Sequence, residues 1–466
     1  MNKKDLIEPD FFFKDEHGTF KINQGKLIDF LEAHGYLNLQ LDDKLILVKV
    51  HNNVLYRAKR KDLIQLVRNT LNVPETREVY EVYAKNPGAY TGNSKLELMN
   101  TMEIIDDRDS YESSKFYFQN CYCEVTADSI TEIPNDQLSY PIWQNRIIQR
   151  NYSKPTSQEA GQFEIFCRNI TKNSDERLNG LKSFLGYLLH RNKQRGEQKA
   201  VILYDEKMGI GGTANGRTGK TMLAKAIKQC RETEIFDGRY LKNEGNFKNQ
   251  RINLTSDNLV YDDLQKRVKF DIFYSMITTG VEVEKKGQQS FYIEEEKAPK
   301  ILITSNHYVN GDGGASDRGR RYEFEIANYY SLEFKPEQEF GNRFFGRDWD
   351  AEEWNKFYFF MFSCVQYYLT NGLVTVPNLN LINSKLLDKT CSEFVEYAKV
   401  YFERNTWLDK REKLEEFQTL FPDKYSKLSS KQFTIWSKAY AESINCEYDD
   451  KPSGGGLYFR FIRIEE

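Results

Sequence analysis

The chain has 466 residues, of which 39% are hydrophobic, 14% aromatic and 29% charged, a globular composition that excludes extensive disorder and predicts roughly two to four domains. Its 66 basic and 69 acidic residues leave a net charge of -3, which excludes a protein that coats nucleic acid along its whole surface and confines any such contact to a local patch. The seven cysteines lack the paired spacing of a zinc site, so Cys121 and Cys123 read as ordinary strand residues and the thiols as reduced, as in a cytoplasmic protein.

In chain order, residues 1–155 predict a mixed α/β module. Gly25 to Gly35 has helical apolar spacing and ends on a glycine suited to close a helix. Leu45 to Val50 reads as a strand, Arg60 to Leu71 as an amphipathic helix and Phe116 to Val125 as one further strand. A turn-rich boundary follows at Pro155 to Glu159. Phe163 to Arg191 reads as helical, with Leu178, Leu181, Phe184, Leu185 and Leu188 on one stripe. Apolar strands at Ala200 to Tyr204, Asn258 to Tyr261 and Lys300 to Thr304, with a helix from Gly219 to Cys230, predict an α/β core with a parallel sheet. Trp349 to Leu369 is helical. Its apolar run from Phe357 carries Gln366 and is too short to span a bilayer, and the N-terminus offers no apolar signal, so no membrane association is expected. The tail predicts a helix from Lys431 to Ile444 capped at Ser429-Ser430, then a wing-like hairpin from Cys446 to Ile464.

The chemistry concentrates after the strand Ala200 to Tyr204. Ala214-Asn215-Gly216-Arg217-Thr218-Gly219-Lys220-Thr221, with Met222 just beyond, has the small residues that let successive backbone N–H groups curl round a phosphate. The following helix adds its positive end. Lys220 is placed for β/γ-phosphates and Thr221 for Mg²⁺, while Ala214 stands where the strict pattern has glycine. About forty residues on, Leu259-Val260-Tyr261 runs into Asp262 and Asp263. One carboxylate suffices for a magnesium ion that keeps most of its waters, here Asp262, and the other, Asp263, can orient or deprotonate an attacking water. The strand Lys300 to Thr304 delivers Asn306 at its carboxyl end, where open α/β sheets bind ligands. Arg320 and Arg321, with Arg318 in reserve, are candidates for an arginine supplied to a neighbouring subunit's γ-phosphate. Between acids and asparagine, Gly280 to Ile293 reads as a hairpin whose tip carries Lys285, Lys286 and Gln288, suited to DNA backbone phosphates.

This ordered set resembles a superfamily 3 helicase, in the branch of phage, plasmid and viral primase-helicases related to the poxvirus replicative ATPase. The motifs that carry the resemblance lie between Lys199 and Ile326. The resemblance implies an AAA+-like P-loop ATPase core, ATP and Mg²⁺ as cofactors, a homo-hexameric ring and 3′ to 5′ movement on single-stranded or forked DNA. It implies a nucleotide loop at Lys220 and Thr221, the acidic pair at Asp262 and Asp263, a sensor at Asn306, a finger at Arg320 or Arg321 and a DNA hairpin at Lys285-Lys286. The expected layout is a docking or collar-associated module (1–155), a helical collar (156–198), the ATPase core (199–335) and a helical region ending in a winged-helix-like domain (336–466).

Asp106-Asp107-Arg108-Asp109 reads as an acidic surface turn rather than a primase centre, with a primase or polymerase among the partners such a motor takes. In the tail, Lys431, Lys438, Lys451 and Arg460 are candidate phosphate contacts. The motifs alone leave two other uses open, an ATPase that remodels or loads nucleoprotein complexes, including in defence, and a non-hydrolysing initiation scaffold.

Overall fold

The computed structural model describes residues 9–41, 44–103, 108–193, 196, 198–208, 218–241, 249–286, 290–454 and 456–464. The fold is mixed α/β with several sheets, one of them wholly parallel. It divides into two compact units, residues 1–124 with 130–153, and residues 125–129 with 154–466. Among the described residues no helix is long and apolar enough to cross a membrane.

The first unit is organised on a five-stranded sheet in the order Ile142–Trp143, Val54–Arg57, Lys44–His51, Tyr36–Leu41, Thr101–Glu103. The helices Gln24–Ala33, Arg60–Leu71 and Arg77–Lys85 bury Leu27, Leu31, Leu63, Val67 and Tyr83 in one core. Asn23 caps the first helix by accepting from Lys26 N at 3.1 Å. Gly35, at φ +85°, turns the chain out of it, and a Cβ there would lie 2.2 Å from Val50 O, so no other residue fits.

The single strand expected over Phe116 to Val125 is instead two, Ser113–Phe118 and Cys121–Thr126, within a four-stranded sheet. The break falls at Gln119-Asn120. The Asn120 side chain donates to Tyr152 O at 2.8 Å and accepts from Tyr152 N at 2.9 Å, anchoring a turn that the apolar residues on either side concealed. Asp106 and Asp107 lie outside the described residues. Asp109 is not on the surface: it is buried, accepting from Ser114 Oγ and from Lys115 N at 3.0 Å, so it fastens the start of a strand.

In the second unit five strands, β1 (Ala200–Asp205), β2 (Thr233–Asp237), β3 (Asn258–Asp262), β4 (Lys300–Thr304) and β5 (Arg321–Ile326), form the parallel sheet in the order β2-β3-β4-β1-β5. Every residue of β1 and β4 is buried, which explains their unbroken apolar runs: a parallel strand covered on both faces has no solvent side to mark. Helix Lys220–Cys230 makes the first crossover, from β1 to the edge strand β2.

The helical segment expected over Phe163 to Arg191 is broken. Helices Gln162–Ile170 and Asp175–Leu189 are separated by a turn in which Lys172 and Asn173 take φ of +58° and +54°, and Ser174 caps the second helix. That second helix packs on the sheet, with the Phe184 ring 5.1 Å from that of Phe324 on β5. Its other side meets helix Ala351–Asn371 so closely that a Cβ on Gly186 would lie 2.1 Å from Cys364 O.

The tail runs helix Ser392–Tyr401, strand Leu408–Asp409, helices Lys410–Leu420 and Ser430–Ser443, then the hairpin Cys446–Ser453 and Gly456–Arg463. Ser429 caps the last helix by accepting from Gln432 N at 3.1 Å. Phe394, Phe402, Phe417, Phe433, Phe459 and Phe461 form its core.

Candidate functional site

Three strand ends and one helix start meet at the carboxyl edge of the parallel sheet. The chain leaves β1 at Asp205 and enters helix Lys220–Cys230 through Thr218 and Gly219. Ala214, Asn215, Gly216 and Arg217 lie outside the described residues. Gly219 sits at φ +118°, and a Cβ there would lie 2.6 Å from Phe166 Cζ, so both backbone and packing demand glycine. The backbone N–H groups of the helix's first turn, which includes Lys220, Thr221 and Met222, lack intrahelical partners for the most part and carry the positive end of the helix dipole. Met222 N and Leu223 N are the exceptions, donating to Gly219 O at 2.9 and 3.2 Å.

From this turn two side chains reach toward the neighbouring strands. Thr221 Oγ1 donates to the Asp262 carboxylate, 3.2 and 3.1 Å from its two oxygens. Asp262 ends β3 and also accepts from Thr304 Oγ1 at 2.7 Å, at the end of β4. Thr304 Oγ1 in turn accepts from Asp263 N at 2.8 Å. This bond pins Asp263 in a left-handed conformation, φ +61°, which turns its side chain away from the strand direction.

The second chain of contacts runs through Lys220. Its ammonium forms an ion pair with Asp205 at 2.5 Å and donates to Asn306 Oδ1 at 2.9 Å. Asn306 Nδ2 donates to Asp263 Oδ1 at 2.7 Å. Thr218 Oγ1 also bonds Asp205. Lys220, Thr221, Asp262, Asp263 and Asn306, scattered over 87 positions of sequence from 220 to 306, are thus joined in one hydrogen-bonded cluster. Lys220 is 7% exposed whereas the Asp263 side chain is 47% exposed, so the cluster has a dry root and a wet rim.

Sequence reasoning missed Asp205, Thr304 and Arg239. Asp205 carried a signal, an acid closing an apolar strand just as Asp262 does. Arg239, beyond the end of β2, is held by Asp237 through two bonds, 2.9 and 2.7 Å, and stands 3.9 Å from Asp263. Its guanidinium holds the Asp237 carboxyl below the usual range.

The donor set bears on the expected metal. Thr221 and Asp262 offer a hydroxyl and one carboxylate side by side, both hard oxygen donors, and no group of three or more His, Cys, Asp or Glu ligands occurs among the described residues. A magnesium ion, which keeps several waters, fits such a sparse set, whereas a zinc ion does not.

The two arginines part company. Arg321 is buried at the start of β5, paired with Asp317 at 2.9 Å, donating to Val309 O at 2.7 Å and lying 4.2 Å from the Phe270 ring centroid. Arg320 is half-buried, bonded to Ser316 and to Thr278 Oγ1 at 3.3 Å, over the Tyr274 ring. Arg318 is exposed. Among the described residues no hydrogen bond joins these arginines to Lys220, Asp262 or Asp263.

The basic hairpin pairs Gly280–Val283 with Phe291–Glu294 in antiparallel register, Gly280 opposite Glu294. Lys286 is exposed, Lys285 donates to Asn253 Oδ1 at 2.7 Å, and Gln288 lies outside the described residues. In the tail, Lys451 and Arg460 lie 4.0 and 4.4 Å from the Trp407 ring centroid, Lys438 lies over Tyr448, and Lys431 is exposed.

No protein-family model matches this chain, and no curated protein matches it. Among solved structures it is similar to an A-form apo structure of the NrS-1 C-terminal region, at 14% identity and a TM-score of 0.42, covering 94% of this chain and 99% of that chain. A second apo structure of the same region is 12% identical, also at a TM-score of 0.42, covering 93% of this chain and 98% of that chain.

Proposed function

We propose that the chain is an ATP-dependent DNA helicase of the replication type, with an AAA+-like P-loop core that uses Mg²⁺ and works as a ring of identical subunits. One observation carries this reading: Lys220, Thr221, Asp262, Asp263 and Asn306 converge in one hydrogen-bonded cluster at the carboxyl edge of a parallel sheet.

Each residue has a role that its position supports. The helix start and Lys220 hold the triphosphate. Thr221 and Asp262 would hold Mg²⁺, which when bound neutralises phosphate charge during transfer. Asp263, at the wet rim and steadied by Asn306, orients the attacking water and takes its proton. Arg320 is the better finger candidate for a neighbouring subunit, because Arg321 is already committed to Asp317 inside its own chain. Lys285 and Lys286 grip DNA phosphates without reading sequence. The order helix, strand, two helices and hairpin in the tail supports a winged-helix-like domain.

The test measures ATP hydrolysis with and without single-stranded DNA, and strand separation on a forked duplex. DNA-stimulated turnover with unwinding is expected. Turnover without strand separation under any condition would favour a remodelling or loading ATPase, and nucleotide binding without turnover a scaffold.

A further inference from the structure

Lys220 is a buried cation, and a buried ammonium without a counter-charge is strongly disfavoured. The counter-charge comes from Asp205, itself 1% exposed, whose Oδ1 lies 2.5 Å from the ammonium. Asp205 is fixed by the sheet: β1 lies between β4 and β5, and Asp205 is in register with Ile326. Thr218 Oγ1 bonds the same carboxylate oxygen, so the last residue of β1 also ties down the step before the helix. The other oxygen, Oδ2, is buried and has no partner among the described residues.

A protonated lysine amine has three N–H donors. Asp205 and Asn306 take two of them in fixed directions, which leaves the third direction determined. A flexible four-carbon side chain is thereby converted into a pre-aimed donor, which lowers the ordering cost of binding.

We propose that Asp205 is the positioning residue of the phosphate site, acting through Lys220 to hold its ammonium aimed at the β-phosphate of a nucleoside di- or triphosphate. This inference rests on the nucleotide reading above. Asp205 does not touch the nucleotide; its effect is confined to ligands that Lys220 reaches.

The experiment uses the full chain and titration calorimetry with ADP and with AMP, in the presence of Mg²⁺. Four proteins are compared: wild type, Asp205→Asn, Lys220→Ala and the double variant. Asp205→Asn is expected to weaken ADP binding about tenfold, the size of losing one charge-assisted contact, and to leave AMP binding unchanged. In the Lys220→Ala background the same change is expected to have no effect on ADP. The double variant is expected to melt at a higher temperature than Lys220→Ala alone, because it removes a carboxylate stranded without its cation. Wild-type ADP affinity in Asp205→Asn, an equal loss in both backgrounds, or a double variant no more stable than Lys220→Ala would each overturn the proposal. If Asp205→Asn does not fold, Asp205→Glu keeps the charge but shifts it by a methylene, and the same selective loss of ADP over AMP is expected; equal loss of both overturns the idea. A wild type that binds no ADP overturns the nucleotide reading itself.

Discussion

The carboxyl edge of the parallel sheet and the C-terminal helix–hairpin region both carry several charged side chains, yet they spend them differently. At the sheet edge, Lys220, Asp263 and Asn306 bond one another across strands that are far apart in sequence, and the cluster opens to solvent on one side. In the tail, Lys438, Lys451 and Arg460 lie over aromatic rings of their own region, and Arg460 is paired with Asp449 at 2.8 Å. The first arrangement joins residues from separate strands into one network with a solvent-facing rim. The second mainly fastens a hairpin to its own support. Charge alone therefore does not distinguish the two regions; the partners that each charge is given do.

The sharpest way to break this comparison is at the sheet edge. Lys220→Ala and Asp263→Asn should each lower ATP turnover by roughly 10²–10⁴-fold in a steady-state phosphate-release assay, with Asp263→Asn keeping nucleotide affinity. If Asp263→Asn turns over ATP like wild type, the wet rim of the cluster is not catalytic.

The arginine pair gives the next largest effect and separates architecture from chemistry within two adjacent residues. Arg321→Ala strands the buried Asp317 carboxylate and should cost about 3–5 kcal/mol of stability, read by denaturant unfolding. Arg320→Ala should cost only about 0.5–1 kcal/mol of stability, as for a cation over an aromatic ring, while lowering turnover, and mixing it with Lys220→Ala protein should restore part of the activity if sites span two subunits. No restoration at any mixing ratio would remove Arg320 from the finger role.

Smaller effects probe DNA contact. Lys286→Ala on the hairpin should weaken single-stranded DNA binding uniformly across sequences and reduce the salt slope of log affinity by about one. Lys451→Ala should instead cost about 0.5–1 kcal/mol of stability, as expected for a cation over an aromatic ring, and leave that slope unchanged. A lowered slope in the Lys451 variant would turn the tail from a fastening into a DNA surface.

The clustering of the candidate residues was legible because they are polar side chains at the ends of apolar strands, and apolar strands in a covered parallel sheet are the plainest pattern a sequence can show. β4 was read to the residue, and the capped tail helix to within one. Breaks hidden inside apolar runs were not legible. Asn120 turns the chain by bonding Tyr152, 32 residues away, whereas the break at Lys172 and Asn173 lies in a polar stretch that Ser174 closes as a helix cap and was overlooked. Asp205 was missed for a related reason: its partner, Lys220, lies across a loop, and only the fold reveals that the acid and the cation share one buried spot.

The strand order has a consequence for how the chain is made. β1 begins with the apolar run Ala200-Val201-Ile202-Leu203-Tyr204, and its neighbours in the sheet are β4 and β5. The nearer of these, Lys300–Thr304, emerges from the ribosome on the order of 95 residues later, which at about 5–20 residues per second is roughly 5–20 s of synthesis. Throughout that interval the stickiest segment of the sheet is exposed with nothing to pair with, while β2 and β3 can already join each other. The nascent chain is therefore most vulnerable to aggregation in the stretch of translation between β1 and β4.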